Sequence, residues 1–148
     1  GQLIIVAARP GMGKSVFVAD AARTAAFRHK QSAAFFSLEM PRQELAERIT
    51  SAETRVPLHA IRSGELHEND YDTLAAFYAD TADAPLRIWD DAHALTLAAI
   101  AARCRRMAQH EDLRLVIVDY LQLIPSSAGS RARTREREVA ELQDGRIT

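Results

Sequence analysis

The stretch that most constrains the fold is "LIIVAARPGMGKS", residues 3–15, where an apolar run passes directly into a glycine-containing loop that ends in Lys14 and Ser15. Leu3, Ile4, Ile5 and Val6 form the continuous apolar pattern of a strand buried on both faces in a parallel sheet. From Ser15 to His29, Val18, Ala21, Ala22 and Ala25 line one side of a helical repeat, and Asp20, Arg23, Thr24 and Arg28 fall on the other. Strand, glycine loop and helix in that order frame a phosphate-binding loop of the pattern G-x-x-x-x-G-K-[ST], with Ala8 in place of the first glycine. In such a loop the backbone N–H groups and the N-terminus of the following helix surround the phosphates, so the backbone must be able to come close. Gly11 and Gly13 meet that need. Ala8 keeps its N–H and adds only a methyl, at a point where a left-handed backbone is not required. On this reading Ala8, Arg9, Pro10, Gly11, Met12, Gly13, Lys14 and Ser15 cradle a nucleotide. Lys14 neutralises charge on the β- and γ-phosphates, and the Ser15 hydroxyl completes a Mg²⁺ shell. A glycine turn followed by a surface lysine is the plainer alternative, and the placement between an apolar run and an amphipathic helix argues against it.

Further along, the chain alternates the two periodicities. Ala33-Ala34-Phe35-Phe36 is a second short apolar run ending in Ser37-Leu38-Glu39. Pro41 suits the first turn of a helix, on which Leu45 and Ile49 share a face. Residues 55–69 read as irregular, with Pro57 and Gly64. Tyr71, Leu74, Ala75 and Tyr78 then restore a helical stripe that Ala84-Pro85 breaks. Leu86-Arg87-Ile88-Trp89 reads as a strand closed by Asp90-Asp91. Thr96 is placed to cap a helix whose stripe is Leu97, Ile100, Ala101, Cys104, Met107 and Ala108. Leu115-Val116-Ile117-Val118 is the clearest buried strand, and it ends in Asp119. Strands alternating with helices imply an α/β domain with a mainly parallel sheet.

Bulk properties exclude more than they select. The chain has 148 residues, enough for one domain with a hydrophobic core, and 19 basic against 20 acidic residues, so any nucleic acid must be met by a local patch. The lone Cys104, among apolar residues at helical spacing, reads as a small hydrophobe in a reducing compartment. No apolar run reaches the length of a membrane span, and the first residues lack the order of a signal peptide. The opening Gly1, inside an apolar run, is expected of a segment of a longer protein. The preference for Arg over Lys and the abundance of Ala fit GC-rich codons.

Three sets of polar residues stand where chemistry would need them. Asp119 closes an apolar strand at its carboxyl end, where open α/β sheets place their ligands, and there it would hold Mg²⁺ directly or through water. Glu39 ends another predicted strand on the same edge, where a carboxylate can orient and deprotonate the water that attacks a γ-phosphate. The same spacing also fits a solvated glutamate opening the next helix. Asp90 and Asp91 are read as turn or helix-opening acids. After Pro125, "SSAGSRARTRERE" is small and basic: Arg131, Arg133, Arg135 and Arg137 can contact a phosphate backbone, while the interleaved Glu136 and Glu138 fit a solvated loop equally well. His59, His67, His93 and His110 show no metal-ligand spacing.

Taken together, "LIIVAARPGMGKS", "AFFSLEMPRQEL", "RIWDDAHALT" and "LVIVDYLQLIP" closely resemble the motor domain of the DnaB family of bacterial replicative helicases, in order and at family-like spacing up to about Arg137. The resemblance makes Ala-Arg-Pro an expected opening for the loop. It implies a RecA-like P-loop NTPase fold, ATP and Mg²⁺ as ligands, Lys14 and Ser15 at phosphate and metal, Glu39 at the attacking water, and Asp119 in the Walker B role. It also implies a homo-hexameric ring moving 5′ to 3′ on single-stranded DNA, with primase and a helicase loader as partners, in the bacterial cytoplasm at the nucleoid. The chain then divides into a nucleotide-binding core at 1–124, a basic DNA-facing loop at 125–138, and a divergent tail at 139–148. The family pattern continues with a strand lying between the phosphate-loop strand and the Walker B strand, which is not found here, so the domain is expected to be incomplete at its C-terminal side. The phosphate-loop run would then face a gap beside the Walker B strand. Two further readings are a truncated, non-catalytic relative acting as a nucleotide-binding or ring-interaction module, and a RecA-like recombinase or clock ATPase; "SLEMP" and "DYLQL" count against the last pair.

Overall fold

The computed structural model describes residues 1–9, 11–91 and 95–119. Three parallel strands, β1 (Ser32–Ser37), β2 (Leu86–Trp89) and β3 (Leu113–Asp119), pair in the order β2-β1-β3. Helices α1 (Lys14–Arg23), α2 (Arg42–Thr54), α3 (Leu58–Ser63), α4 (Glu68–Thr81) and α5 (Leu97–His110) are distributed over both faces. β1 is central and all six of its residues are buried, which is why Ala33-Ala34-Phe35-Phe36 is apolar without alternation. On one face Phe35 and Ile117 pack with Ala19 and Ala22 of α1 and with Leu45 and Ile49 of α2. On the other, Ala34 and Phe36 pack with Leu95 and with Ile100 and Met107 of α5. Trp89 stacks on Phe36 there, ring centroids 4.8 Å apart.

Local chemistry sets the element ends. Thr96 caps α5, its hydroxyl accepting from the Ala99 N–H at 3.2 Å. Pro41 stands one residue before α2 rather than inside its first turn, and the Arg42 N–H is satisfied by the Asp90 carboxylate at 2.8 Å. Asp90 thus serves as a helix-opening acid for a helix 48 residues away in sequence. The Asp91 carbonyl accepts from Leu95 N–H at 3.0 Å. Cys104 is partly buried against the α5 face of the core, where burial pushes its thiol above the ordinary range.

Several expectations need correction. Leu3–Val6 is not a strand: residues 1–9 have no regular secondary structure, and Ile4 is 78% exposed. A strand needs a hydrogen-bonded neighbour, and among the described residues none pairs with the outer edge of β3. For the same reason β3 is fully buried only at Ile117 and Asp119, and Val116 is exposed. The segment read as irregular contains α3, opened after Pro57 and closed by Gly64 at φ 75°; six residues are too few to show a periodic stripe. On α4, Tyr71 and Tyr78 face solvent, and Phe77 is the residue that packs inward, edge-on to Phe27. α1 starts at Lys14 and continues as a π-helical turn over Thr24–Arg28. Among the described residues no helix is long and apolar enough to cross a membrane.

Candidate active site

The loop before α1 turns on two left-handed glycines, Gly11 at φ 79° and Gly13 at φ 84°. A Cβ at either would meet nothing within 4 Å, so glycine is required there by backbone conformation and not by space. Outside glycine, Lys30 and Arg55 are the only described residues at positive φ, so Ala8 sits in ordinary backbone, as its alanine needs. The Met12 N–H closes a turn on the Arg9 carbonyl at 3.2 Å, and the Phe17 N–H donates to the Gly13 carbonyl at 3.0 Å. Among the described residues no side chain caps the N-terminus of α1. That end therefore presents the positive pole of the helix toward the loop.

Three charged residues foreseen separately in the sequence meet at this point. Lys14 Nζ lies 2.9 Å from Asp119 Oδ1 and 3.5 Å from Glu39 Oε2. Parallel strands bring the two carboxylates to one sheet edge: β1 and β3 run in register to Ser37↔Asp119. Beyond the last pair, the Leu38 and Glu39 N–H groups both donate to the Asp119 carbonyl, at 2.7 and 3.3 Å. Their environments differ sharply, the Asp119 side chain being 4% exposed and that of Glu39 50%. Burial works against the Lys14 ammonium, but the hydrogen bond and charge of Asp119, with those of Glu39, outweigh it and hold Lys14 above its ordinary value. Ser15 is half-buried in the first turn of α1.

Sequence reasoning missed Ser37. It is buried, and its hydroxyl donates to the Met40 carbonyl at 2.6 Å and accepts from the Met40 N–H at 3.3 Å, pinning the bend that carries Glu39. The only signal was a polar residue closing an otherwise apolar run. Pro10, His93, the arginines Arg131, Arg133, Arg135 and Arg137, and the segments 125–138 and 139–148 lie outside the described residues.

The donor set suits a hard cation that keeps other ligands. Among the described residues there is no cluster of three or more His, Cys, Asp or Glu side chains able to hold a metal alone. Two carboxylates and a hydroxyl beside a phosphate-type loop are what Mg²⁺ uses when phosphates and water fill its remaining positions.

A parallel sheet covered by helices on both faces, with a lysine-bearing loop and a buried aspartate at its carboxyl edge, defines a P-loop α/β domain of the RecA-like class. Two solved structures share the fold. One is a separately solved ATPase domain (TM-score 0.78, 21% identity, 92% of this chain and 48% of that one). The other is a DnaB-like replicative helicase described with its interactions with primase (TM-score 0.76, 22% identity, 92% and 32%). The family model for the DnaB-like helicase C terminal domain matches residues 1–145, and the chain belongs to that family. It is 50% identical over 142 residues to the replicative DNA helicase DnaB of Leifsonia xyli subsp. xyli (strain CTCB07), covering 96% of this chain and 30% of the relative. To that of Geobacillus stearothermophilus it is 37% identical over 141 residues, covering 95% and 31%. The chain thus spans under a third of the length of these curated relatives.

Proposed function

We propose that this chain forms the ATP-binding part of a replicative DNA helicase that couples ATP hydrolysis to 5′-to-3′ movement on single-stranded DNA. The observation that supports it best is the meeting of Lys14 with Asp119 and Glu39 beside the glycine loop, at 2.9 and 3.5 Å. Residues 8–15 hold the nucleotide, with the backbone N–H groups from Gly11 onward directed at its phosphates. Lys14 exchanges its carboxylate partners for β- and γ-phosphate oxygens. Asp119 and Ser15 are thereby left to hold Mg²⁺, which supplies charge neutralisation on the transferring phosphoryl group. Glu39, half in solvent, is positioned to orient the attacking water and take its proton. The core spans 1–124, Arg131, Arg133 and Arg135 in the 125–138 loop contact the DNA backbone, and 139–148 is a divergent tail. The complete protein works as a homo-hexamer with primase and a helicase loader, in the bacterial cytoplasm at the nucleoid.

A chimaera tests this directly, with the chain replacing the matching 142 residues of the Leifsonia helicase. The expected result is DNA-stimulated ATP hydrolysis that Glu39→Gln stops while ATP binding is retained. Undiminished hydrolysis in the Glu39→Gln chimaera would remove Glu39 from this role.

A further inference from the structure

The edge of the sheet opposite the P-loop site carries a second, independent feature. β2 is the terminal strand on that side, and among the described residues nothing pairs with its outer edge. The Ala33 N–H donates to the Pro85 carbonyl at 2.8 Å, which fixes the phase of the ladder. In a parallel pair alternate residues face the partner, so 85, 87 and 89 turn their backbone groups to β1. Leu86 and Ile88 turn theirs outward, except that the Leu86 N–H folds back onto the Ala84 carbonyl at 2.8 Å. A groove of about 840 Å³ runs along this edge between the first turns of α2 and residues 86–90. Unpaired edge groups beside a groove are a template for an added strand.

Charge decides what kind of strand fits. Side chains of β2 alternate between faces: Leu86 and Ile88 join the core on the α1 and α2 side, and Trp89 joins the α5 side. Arg87, on the α5 side, is half-exposed and only 3.6 Å from Glu111. Arg42 opens α2 beside residue 90, and the Asp90 carboxylate is already occupied by the Arg42 N–H. One cation therefore flanks each face of the groove. An incoming strand would place one residue opposite Arg87 on the α5 face and another opposite position 90, beside Arg42, on the α2 face. The two residues between them would lie against Ile88 and Trp89. We propose that the outer edge of β2 takes up an extended segment of a partner protein with the pattern acid–apolar–apolar–acid. The pattern is the same in both directions and so serves a parallel or an antiparallel strand.

The probe is a fluorescein-labelled octapeptide, threonine-threonine-glutamate-valine-valine-glutamate-threonine-threonine, titrated with the full 148-residue chain by anisotropy. Saturable binding is expected, weakened about fivefold by each of Arg42→Glu and Arg87→Glu, and abolished by N-methylation of alternate peptide amides. Equal binding of the methylated peptide or of a peptide with lysine for glutamate would overturn the proposal. So would no binding up to about 1 mM, or concentration-dependent self-association of the chain through this edge without peptide binding.

Discussion

Replacing Lys14 by methionine should unmask the cost of the buried carboxylate it neutralises. At 2.9 Å from Asp119 Oδ1, the gross attraction at an effective dielectric near 20 is on the order of 5–6 kcal/mol. Desolvation of a carboxylate whose side chain is 4% exposed offsets much of that. The net lies between the 3–5 kcal/mol lost on breaking a fully buried pair and the 1 kcal/mol or less of a surface pair, because Lys14 is 23% exposed, so the expected loss is about 2 kcal/mol. Urea denaturation of the ligand-free chain measures it, with the single tryptophan, Trp89, as reporter: its stacking on Phe36 in the core ensures that unfolding changes its surroundings. With a slope of about 2 kcal/mol/M, the midpoint should fall by roughly 1 M. Lys14→Met combined with Asp119→Asn removes both charges and should recover most of the loss. A single-variant loss below about 0.5 kcal/mol, or a double variant no better than the single, would show that the pair carries no such energy.

Because Lys14 is held above its ordinary value of 10.5 in the folded chain, its stabilising contribution is fully present below that value and is lost as pH rises through the folded one. The stability gap between wild type and Lys14→Met should accordingly stay constant from about pH 7 to 9 and close at higher pH in parallel denaturation curves. Ser37→Ala should cost about 1–2 kcal/mol by leaving the buried Met40 backbone groups without their partner, and should raise amide exchange at Glu39 and Met40 more than in the centre of β1. Thr96→Ala should lower stability by about 1 kcal/mol, and Thr96→Asp should restore most of it, as measured by thermal unfolding.

Where local pattern and tertiary context agreed, the sequence could be read residue by residue. Leu86–Trp89 is a strand over the range its apolar run suggested, and Thr96 caps α5. The catalytic-edge residues Lys14, Glu39 and Asp119 converge because parallel strands deliver their carboxyl ends to one side, a consequence of topology that spacing alone implies. What escaped the sequence depended on neighbours. Leu3–Val6 has the composition of a central strand, but strand formation depends on a partner edge, which composition does not encode. The direct bond between Lys14 and the buried Asp119, the Ser37 clasp under Glu39, and the reach of Asp90 to the start of α2 are all contacts between distant or bent segments with no periodic signature. Ala8 is the converse case: an apparent defect in a motif became ordinary once its backbone proved not to be left-handed.

Whether residues 8–15 with Glu39 and Asp119 form a nucleotide site is tested most directly by following backbone amide resonances of the ¹⁵N-labelled chain during titration with Mg²⁺-ATP, which registers even weak binding. The expected result is saturable shifts concentrated at Gly11, Gly13, Lys14, Ser15, Glu39 and Asp119, all lost in Lys14→Ala. Shifts centred elsewhere, shifts that persist in Lys14→Ala, or no shift at about 10 mM nucleotide, far above the usual range of enzyme substrates, would contradict it.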